Sequence, residues 1–222
     1  MVKVILPEVK VQEFNGLNIM KNLEYACRVC YQSENIINND TYKTLLKNCI
    51  QNGHESVLEH EKITVRLITD IGSYKDFTRH RLSSFSIEST RYCSYDKDKF
   101  NNEIKVIKPL YILDPTIYNI WLNSCKYMED NYMMMKKLGA KNDECRQILN
   151  HSVASEVVMT CNIREWRHIL NLRCSKKAHP SLRTIFIPLL LLFKQTMPEL
   201  FFDINYDETF DKNFYASLSF FK

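Results

Sequence analysis

Apolar residues recur along the chain with two different periods, and each period predicts its own kind of element. Alternation over residues 62–68 predicts a half-buried strand, and a shorter alternating run at 2–6 predicts a first strand. Apolar positions three and four residues apart predict an amphipathic helix over 17–31 and a long helix over 114–138. Residues 153–160 are ambiguous. Further helices are predicted over 41–52, 70–81, 142–149, 163–172 and within 181–197, and further strands over 91–95 and 105–107.

No internal repeat, low-complexity tract or Pro/Gly/Ser-rich linker interrupts the 222 residues. One mixed α+β domain over residues 1–222 is therefore the simplest prediction. Eight Phe and Tyr residues between 201 and 221 make the carboxy-terminal segment too apolar for a free tail. We expect this segment to dock on the body of the protein or on another subunit.

The apolar run Ile185–Phe193 is about half as long as the roughly 20 residues that a bilayer-spanning helix needs. It therefore predicts a buried helix, and Pro188 within it predicts a kink or a helix start.

Glycine is scarce, and its positions restrict how the protein could bind phosphate. The four glycines, at 16, 53, 72 and 139, are too far apart for G-x-G-x-x-G or a Walker loop. The formal net charge of +4 permits an anionic ligand but does not by itself indicate nucleic acid. If the protein binds phosphates, its side chains must supply most of the contacts.

Eight cysteines raise the question of disulfides or a metal site. The chain begins without a secretory leader pattern and is long enough to form a core without staples, which favours reduced thiols in a cytoplasmic protein. Cys27-x-x-Cys30 lies within a helical pattern, where packing is one interpretation and redox or metal chemistry the other. His54 and His60 are six residues apart, which does not match the H-E-x-x-H zinc motif, so we predict no metal site.

The densest polar chemistry lies between residues 79 and 92, which contain three arginines, one histidine and four serines. Guanidinium groups match phosphate oxygens with two parallel hydrogen bonds, and serine hydroxyls add single ones. The segment is therefore a phosphate site, a solvated basic turn or a short RNA-binding patch, and composition leaves all three open.

The predicted helix 163–172 presents polar residues on one face and an arginine on the other. Arg164, His168 and Asn171 share a face because they are four and three residues apart. Arg173 falls on the apolar side, where an unpaired buried charge would cost several kcal/mol. Either its stem extends along the surface to solvent, or its guanidinium meets a polar ligand.

These segments together resemble the flavin-dependent thymidylate synthases, the ThyX family. Arg79-His80-Arg81 followed after seven residues by Ser89 is similar to the family signature R-H-R-x7-S. Residues 53–60, 89–95 and 162–173 resemble three further family blocks in the same order.

The resemblance implies an α+β domain whose mostly antiparallel sheet is flanked by helices, assembled as a homotetramer with sites between subunits. It implies reductive methylation of dUMP to dTMP, with methylenetetrahydrofolate as the one-carbon donor and FAD reduced by NADPH as the hydride source. It also implies a cytoplasmic enzyme with neither a nucleic-acid nor a membrane partner.

Carried over residue by residue, the resemblance assigns cofactor, substrate and catalytic roles. Arg173 would be catalytic, lying against the uracil ring and favouring ionisation at N3. The residues expected to contact FAD are Ser56, Arg79, His80, Arg81, Asn162, Arg164 and His168. The residues expected to contact dUMP are Asp76, Arg79, Glu88, Ser89, Arg91, Arg146 and Arg173.

The chain departs from the family pattern at three places, which keeps two other hypotheses open. Ile87 stands where the family commonly has Glu or Gln, Asp76 replaces a frequent Gln or Glu, and residues 178–183 differ from the usual A-Q-x-E-I-R. The alternatives are a flavoprotein of this fold without methylation activity, and an RNA- or nucleotide-binding protein that uses Arg79, Arg81 and Arg91.

Overall fold

The computed structural model describes residues 2–97 and 101–222. The strands are β1 (Lys3–Ile5), β2 (Glu8–Gln12), β3 (Lys62–Asp70), β4 (Ser83–Ile87), β5 (Lys105–Ile107), β6 (Ala154–Asn162) and β7 (Ser217–Phe221). The α-helices are α1 (Gly16–Val29), α2 (Thr41–Gln51), α3 (Ile71–Phe77), α4 (Pro115–Lys137), α5 (Asn142–Cys145), α6 (Ile163–Arg173), α7 (Pro180–Thr196) and α8 (Pro198–Phe201). A 3-10 helix spans Glu55–His60.

Five strands form the main sheet in the order β4-β6-β3-β2-β7. Only the β2–β7 pair is parallel, so this sheet is mostly antiparallel as predicted. The α+β class is confirmed, and the ambiguous residues 153–160 form most of β6. β1 and β5 pair in parallel as a separate small sheet.

One face of the main sheet is buried under helices, because apolar residues alternate along its strands. Val9, Val65 and Met159 point into this core and are fully buried. Helices α1, α2, α6 and α7 cover them with their own apolar stripes. On the opposite face Thr64 and Thr160 share a hydrogen bond of 2.9 Å, so that face is polar.

A second, smaller core forms beside the first, where α4 and α5 pack against the β1–β5 sheet. Tyr132 and Cys125 of α4, and Val106 of β5, are almost completely buried in it. Tyr95 also packs here and is buried. The predicted strand over 91–95 is wrong, because this segment is a series of turns around that buried ring.

Some element boundaries in the structure differ from the predicted ones. The helix predicted over 70–81 ends at Phe77, and the chain then runs into β4, a strand that its serine-rich sequence did not predict. Helix α7 begins at Pro180 and continues through Pro188, so a helix start at Pro188 is wrong.

The predicted burial of the apolar run is confirmed: Ile185, Phe186 and Phe193 are fully buried. No helix within residues 2–97 and 101–222 has both the length and the hydrophobicity that crossing a bilayer requires.

The carboxy-terminal aromatic segment docks on the body of the protein, which is the first of the two predicted alternatives. Phe201 and Phe210 are buried, and β7 completes the edge of the main sheet. All eight cysteines carry free thiols.

Candidate active site

Helix α6 and its amino-terminal cap carry three of the seven predicted cofactor residues, Asn162, Arg164 and His168. Asn162 caps its amino terminus, with the side-chain Oδ1 accepting from the Glu165 backbone N–H at 2.9 Å. The helix is anchored by Trp166, which is fully buried and donates to the carbonyl of Ile63 at 3.1 Å. Its opposite face projects Arg164, His168 and Asn171 into a cavity, as their spacing predicted.

Two adjoining cavities share the Arg164 side chain. The first, about 600 Å³, is lined by Arg164, His168 and Asn171. The second, about 660 Å³, is lined by Ser56 and by residues of α1 and α2. Glu55 borders both cavities, so acidic as well as basic groups face the space.

Arg167 lines the first cavity, and the sequence analysis did not identify this residue. Its guanidinium binds both carboxylate oxygens of Asp203 at 2.8 Å and donates to Glu55 at 3.2 and 3.3 Å. It also donates to the carbonyl of Leu200. Its position in the sequence could have identified it, because Arg167 lies four residues after Ile163 in the apolar stripe of α6.

Arg173, the predicted catalytic residue, is half-buried and held by the protein itself. Its Nε donates to Nε2 of His80 at 3.1 Å, and its Nη2 donates to the carbonyl oxygen of Asp76 at 2.7 Å. Burial lowers the pKa of Arg173, and the nearby Arg79 lowers it further. The guanidinium therefore meets protein acceptors along one edge, an arrangement that neither sequence alternative described.

His80 is 6% exposed, and both of its ring nitrogens have partners. Nε2 accepts from Arg173, and Nδ1 lies 3.3 Å from the Glu165 carboxylate. Burial, followed by the charges of Arg173 and His168, lowers the pKa of His80 to about 4, so the ring is neutral at pH 7. His80, Glu165 and His168 lie close enough together to suggest a metal site, but His80 has no ring nitrogen left for a metal.

The other two members of the R-H-R motif extend into solvent. Arg79 and Arg81 are exposed, and neither has an ion-pair partner among the residues that the structure describes. Arg81 lines a third cavity of about 590 Å³ together with Ser83 and Asn162. Exposed guanidinium groups without a carboxylate partner are available to bind an anion.

The remaining predicted substrate residues form a second group. Arg91 pairs with Asp143 at 3.2 Å, and the Ser89 hydroxyl accepts from the Arg91 backbone N–H at 3.3 Å. Glu88 accepts from Tyr95 at 3.4 Å, and burial raises the pKa of this carboxyl. Arg146 is exposed at the end of α5.

The predicted residues lie in two parts of the fold, which we define as two groups. The first group surrounds α6 and contains Arg164, His168 and Arg173, while the second contains Arg91 and Arg146. Within the described parts of the chain, no hydrogen bond or ion pair joins the two groups. The predicted roles of the individual residues stay predictions.

The Ile87 departure is visible at the end of β4. Ile87 is 38% exposed, whereas Glu88 turns inward toward Tyr95. Glu88, rather than residue 87, therefore supplies the carboxylate at the end of β4.

Comparison with known proteins identifies relatives of this chain. Residues 17–199 match the family model described as thymidylate synthase complementing protein. A flavin-dependent thymidylate synthase of Geobacter sulfurreducens is 26% identical over 186 residues, covering 80% of this chain and 78% of the relative. One of Corynebacterium efficiens is 28% identical over 205 residues, covering 85% and 81%.

Solved structures share the fold. The flavin-dependent thymidylate synthase ThyX from Helicobacter pylori, complexed with FAD and dUMP, superposes with a TM-score of 0.73 at 20% identity, covering 89% of this chain and 99% of that one. The UMP/dUMP methylase PolB from Streptomyces cacaoi, bound with 5-Br dUMP, gives 0.72 at 20% identity, covering 90% and 95%.

Proposed function

Because the chain belongs to the thymidylate synthase complementing protein family, we infer that it is a flavin-dependent thymidylate synthase. It methylates dUMP reductively to dTMP, with methylenetetrahydrofolate as the one-carbon donor and FAD reduced by NADPH. The observation that carries this conclusion is the family match over residues 17–199. Residues 1–222 form a single catalytic domain in this proposal, located in the cytoplasm without a nucleic-acid partner.

The residues around α6 fit a phosphorylated, planar cofactor. Arg79 and Arg81 are exposed cations, and Arg164 lies where two cavities of about 600 and 660 Å³ adjoin. These side chains can neutralise phosphates where glycine loops are absent. The residues that would hold FAD are Ser56, Arg79, His80, Arg81, Asn162, Arg164 and His168. FAD supplies the hydride when it is bound.

Arg173 is the proposed catalytic group for the nucleotide. Its Nε and Nη2 are fixed by His80 and Asp76, while Nη1 has no partner among the described residues. That free end stabilises the negative charge that develops on the uracil ring when N3 loses its proton, which makes C5 nucleophilic. The other residues proposed to contact dUMP are Asp76, Arg79, Glu88, Ser89, Arg91 and Arg146.

The exposed surface of α4 supports an assembly of several copies of the chain. On this surface lies an α4 seam, which we define as Ile117, Ile120, Tyr127, Met134 and Leu138. These five side chains are 54–80% exposed. They recur at the heptad spacing with which helices pair. We propose a homotetramer in which this seam meets a second copy.

The activity is tested by the colour and turnover of the purified protein. We expect a yellow protein whose flavin absorbance bleaches with NADPH, and which forms dTMP from dUMP and methylenetetrahydrofolate. A yellow protein that oxidises NADPH without forming dTMP would support a flavoprotein without methylation activity. A colourless protein whose RNA affinity falls steeply with salt would support the RNA-binding alternative.

Arg173→Ala tests the catalytic assignment. We expect a loss of about 100-fold in kcat, typical of removing one donor that stabilises developing charge, with flavin binding retained. The matched control is Arg66→Ala, because Arg66 is an arginine of β3 that pairs with Glu156 outside the predicted residues. Equal activity of the two variants would contradict the role of Arg173.

The assembly is tested by light scattering. We expect the wild-type protein to have four times the chain mass of 26.4 kDa, and Tyr127→Asp to reduce it. A monomeric wild-type protein with full activity would contradict a site shared between copies.

A further inference from the structure

A series of close polar contacts connects a buried carboxylate to the proposed catalytic arginine through His80. Glu165 lies 3.3 Å from Nδ1 of His80, and Nε2 of His80 lies 3.1 Å from Nε of Arg173. Glu165 is 7% exposed and His80 is 6% exposed, so water competes little for these contacts. Nothing in the sequence patterns or the family blocks assigned a role to Glu165.

The direction of these contacts is fixed by which atoms can accept. A guanidinium has only donors, so Nε2 of His80 must carry a lone pair. The single proton of the neutral ring therefore sits on Nδ1, which faces the Glu165 carboxylate at 3.3 Å. If Glu165 offered no acceptor, the tautomer with its proton on Nδ1 would gain little stabilisation. The opposite tautomer, with its proton on Nε2, would direct an N–H at the guanidinium.

Burial and the positive charges of Arg173 and His168 keep the imidazole neutral, against the opposing effect of the Glu165 carboxylate at 3.3 Å. Arg173 and His168 face His80 from α6, and Asp76 and Arg79 lie on the segment that leads into it. Burial is the largest cause of the low pKa of His80. A proton added to Nε2 would remove the acceptor that holds Arg173, so the arrangement exists only with a neutral ring.

The held edge of Arg173 determines which edge remains for a ligand. Nε and Nη2 lie along one side of the planar fork, and both are used within the protein. Rotation of the guanidinium is thereby blocked, and Nη1 stays turned away from His80. A misplacement of about 1 Å at a catalytic group costs on the order of 100-fold in rate.

We propose that Glu165 is a positioning residue that acts through His80 to fix the orientation of the Arg173 guanidinium toward the nucleotide. This role rests on the proposed function, because it concerns the orientation of the group that contacts the uracil ring. His80 is the intermediate of this relay, in addition to its expected contact with the cofactor.

Glu165→Leu and Glu165→Gln test the relay, because leucine removes the acceptor and glutamine keeps one. We expect Glu165→Leu to lower kcat/KM for dUMP about 100-fold with flavin content unchanged, and Glu165→Gln to stay within about threefold of wild type. Glu199→Leu is the matched control, since Glu199 of α8 is also a 7% exposed glutamate and is expected to retain kcat/KM. A glutamine variant as inactive as the leucine variant, or equal losses in the Glu165→Leu and Glu199→Leu proteins, would overturn the relay.

A second measurement tests the relay from Glu165 through His80 to Arg173 without measuring turnover. Nitrogen-15 NMR of the six histidines should show one imidazole that stays neutral at pH 5 with its proton on Nδ1, and this signal should disappear in His80→Asn. Glu165→Leu should convert that ring to a mixture of tautomers, whereas an unchanged tautomer would refute the proposal. A wild-type protein with the expected tautomer that forms no dTMP would refute only the proposed function.

Discussion

Arg167→Met is the substitution whose effect on stability can be worked out most fully from the structure. The Arg167 side chain is 8% exposed and gives four hydrogen bonds to the carboxylates of Glu55 and Asp203. Methionine fills the space of the stem but leaves Asp203 without its ion-pair partner and Glu55 with only the longer contact to Arg164 at 3.9 Å. Breaking a buried ion pair on one side costs about 3–5 kcal/mol. Because Glu55 is 28% and Asp203 38% exposed, we expect the lower end, about 3 kcal/mol at pH 7.

The loss of unfolding free energy in Arg167→Met depends on pH, and the pKa of Asp203 determines the direction of this dependence. The hydrogen bonds from Arg167 hold the pKa of Asp203 below its usual value. A depressed carboxyl pKa contributes stability that is fully present above the unfolded value of about 3.9 and is lost as the pH falls through the folded value. The difference in unfolding free energy between wild type and Arg167→Met should therefore be full at pH 7 and shrink below about pH 4.

Urea unfolding at fixed protein concentration measures the difference, and thermal unfolding should show a Tm lower by about 6–12 °C for a chain of this length. Arg164→Met is the control, because it makes the same change one turn earlier on α6, at a side chain that is 48% exposed. Its pair with Glu59 lies at the surface, where such pairs contribute about 0–1 kcal/mol. Equal losses from the two substitutions would refute the reasoning.

Two further predictions concern packing and thiol reactivity. Gly16→Ala should destabilise the fold by about 2 kcal/mol in urea unfolding, because the new Cβ would lie 2.5 Å from the backbone oxygen of Thr196; unchanged stability would contradict this close approach. Alkylation followed by mass spectrometry at pH 8 should modify the exposed Cys30 before Cys49, since burial raises the pKa of Cys49 to about 12, and the reverse order would contradict the structure.

Sequence periodicity predicted the long elements well because each carries a regular apolar stripe. Helix α4 and strand β3 appear close to their predicted limits. β4 was missed because its sequence, Ser83-Ser84-Phe85-Ser86-Ile87, has few apolar residues and lies in a segment rich in charge. Its pairing with β6, rather than its own composition, makes it a strand.

The motif predicted the right neighbourhood of the site but not its internal contacts. Spacing placed Arg164 and His168 on one face of α6, and both line the same cavity. The Glu165–His80 pair joins residues 85 positions apart in the chain, and Arg167 reaches Asp203 across another loop. Such contacts depend on how the segments that follow α3 and α8 meet α6, which a one-dimensional pattern does not contain.

The parallel pairing of Val9 with Leu218 joins two segments that are far apart in the sequence into one sheet. During synthesis on the ribosome, β2 emerges long before β7, so its outer edge stays unpaired until β7 has been made. Until then that edge presents unpaired backbone groups to other nascent chains. The main sheet is thus completed only after β7 has been made, and shielding by chaperones during this interval should raise the yield of folded protein.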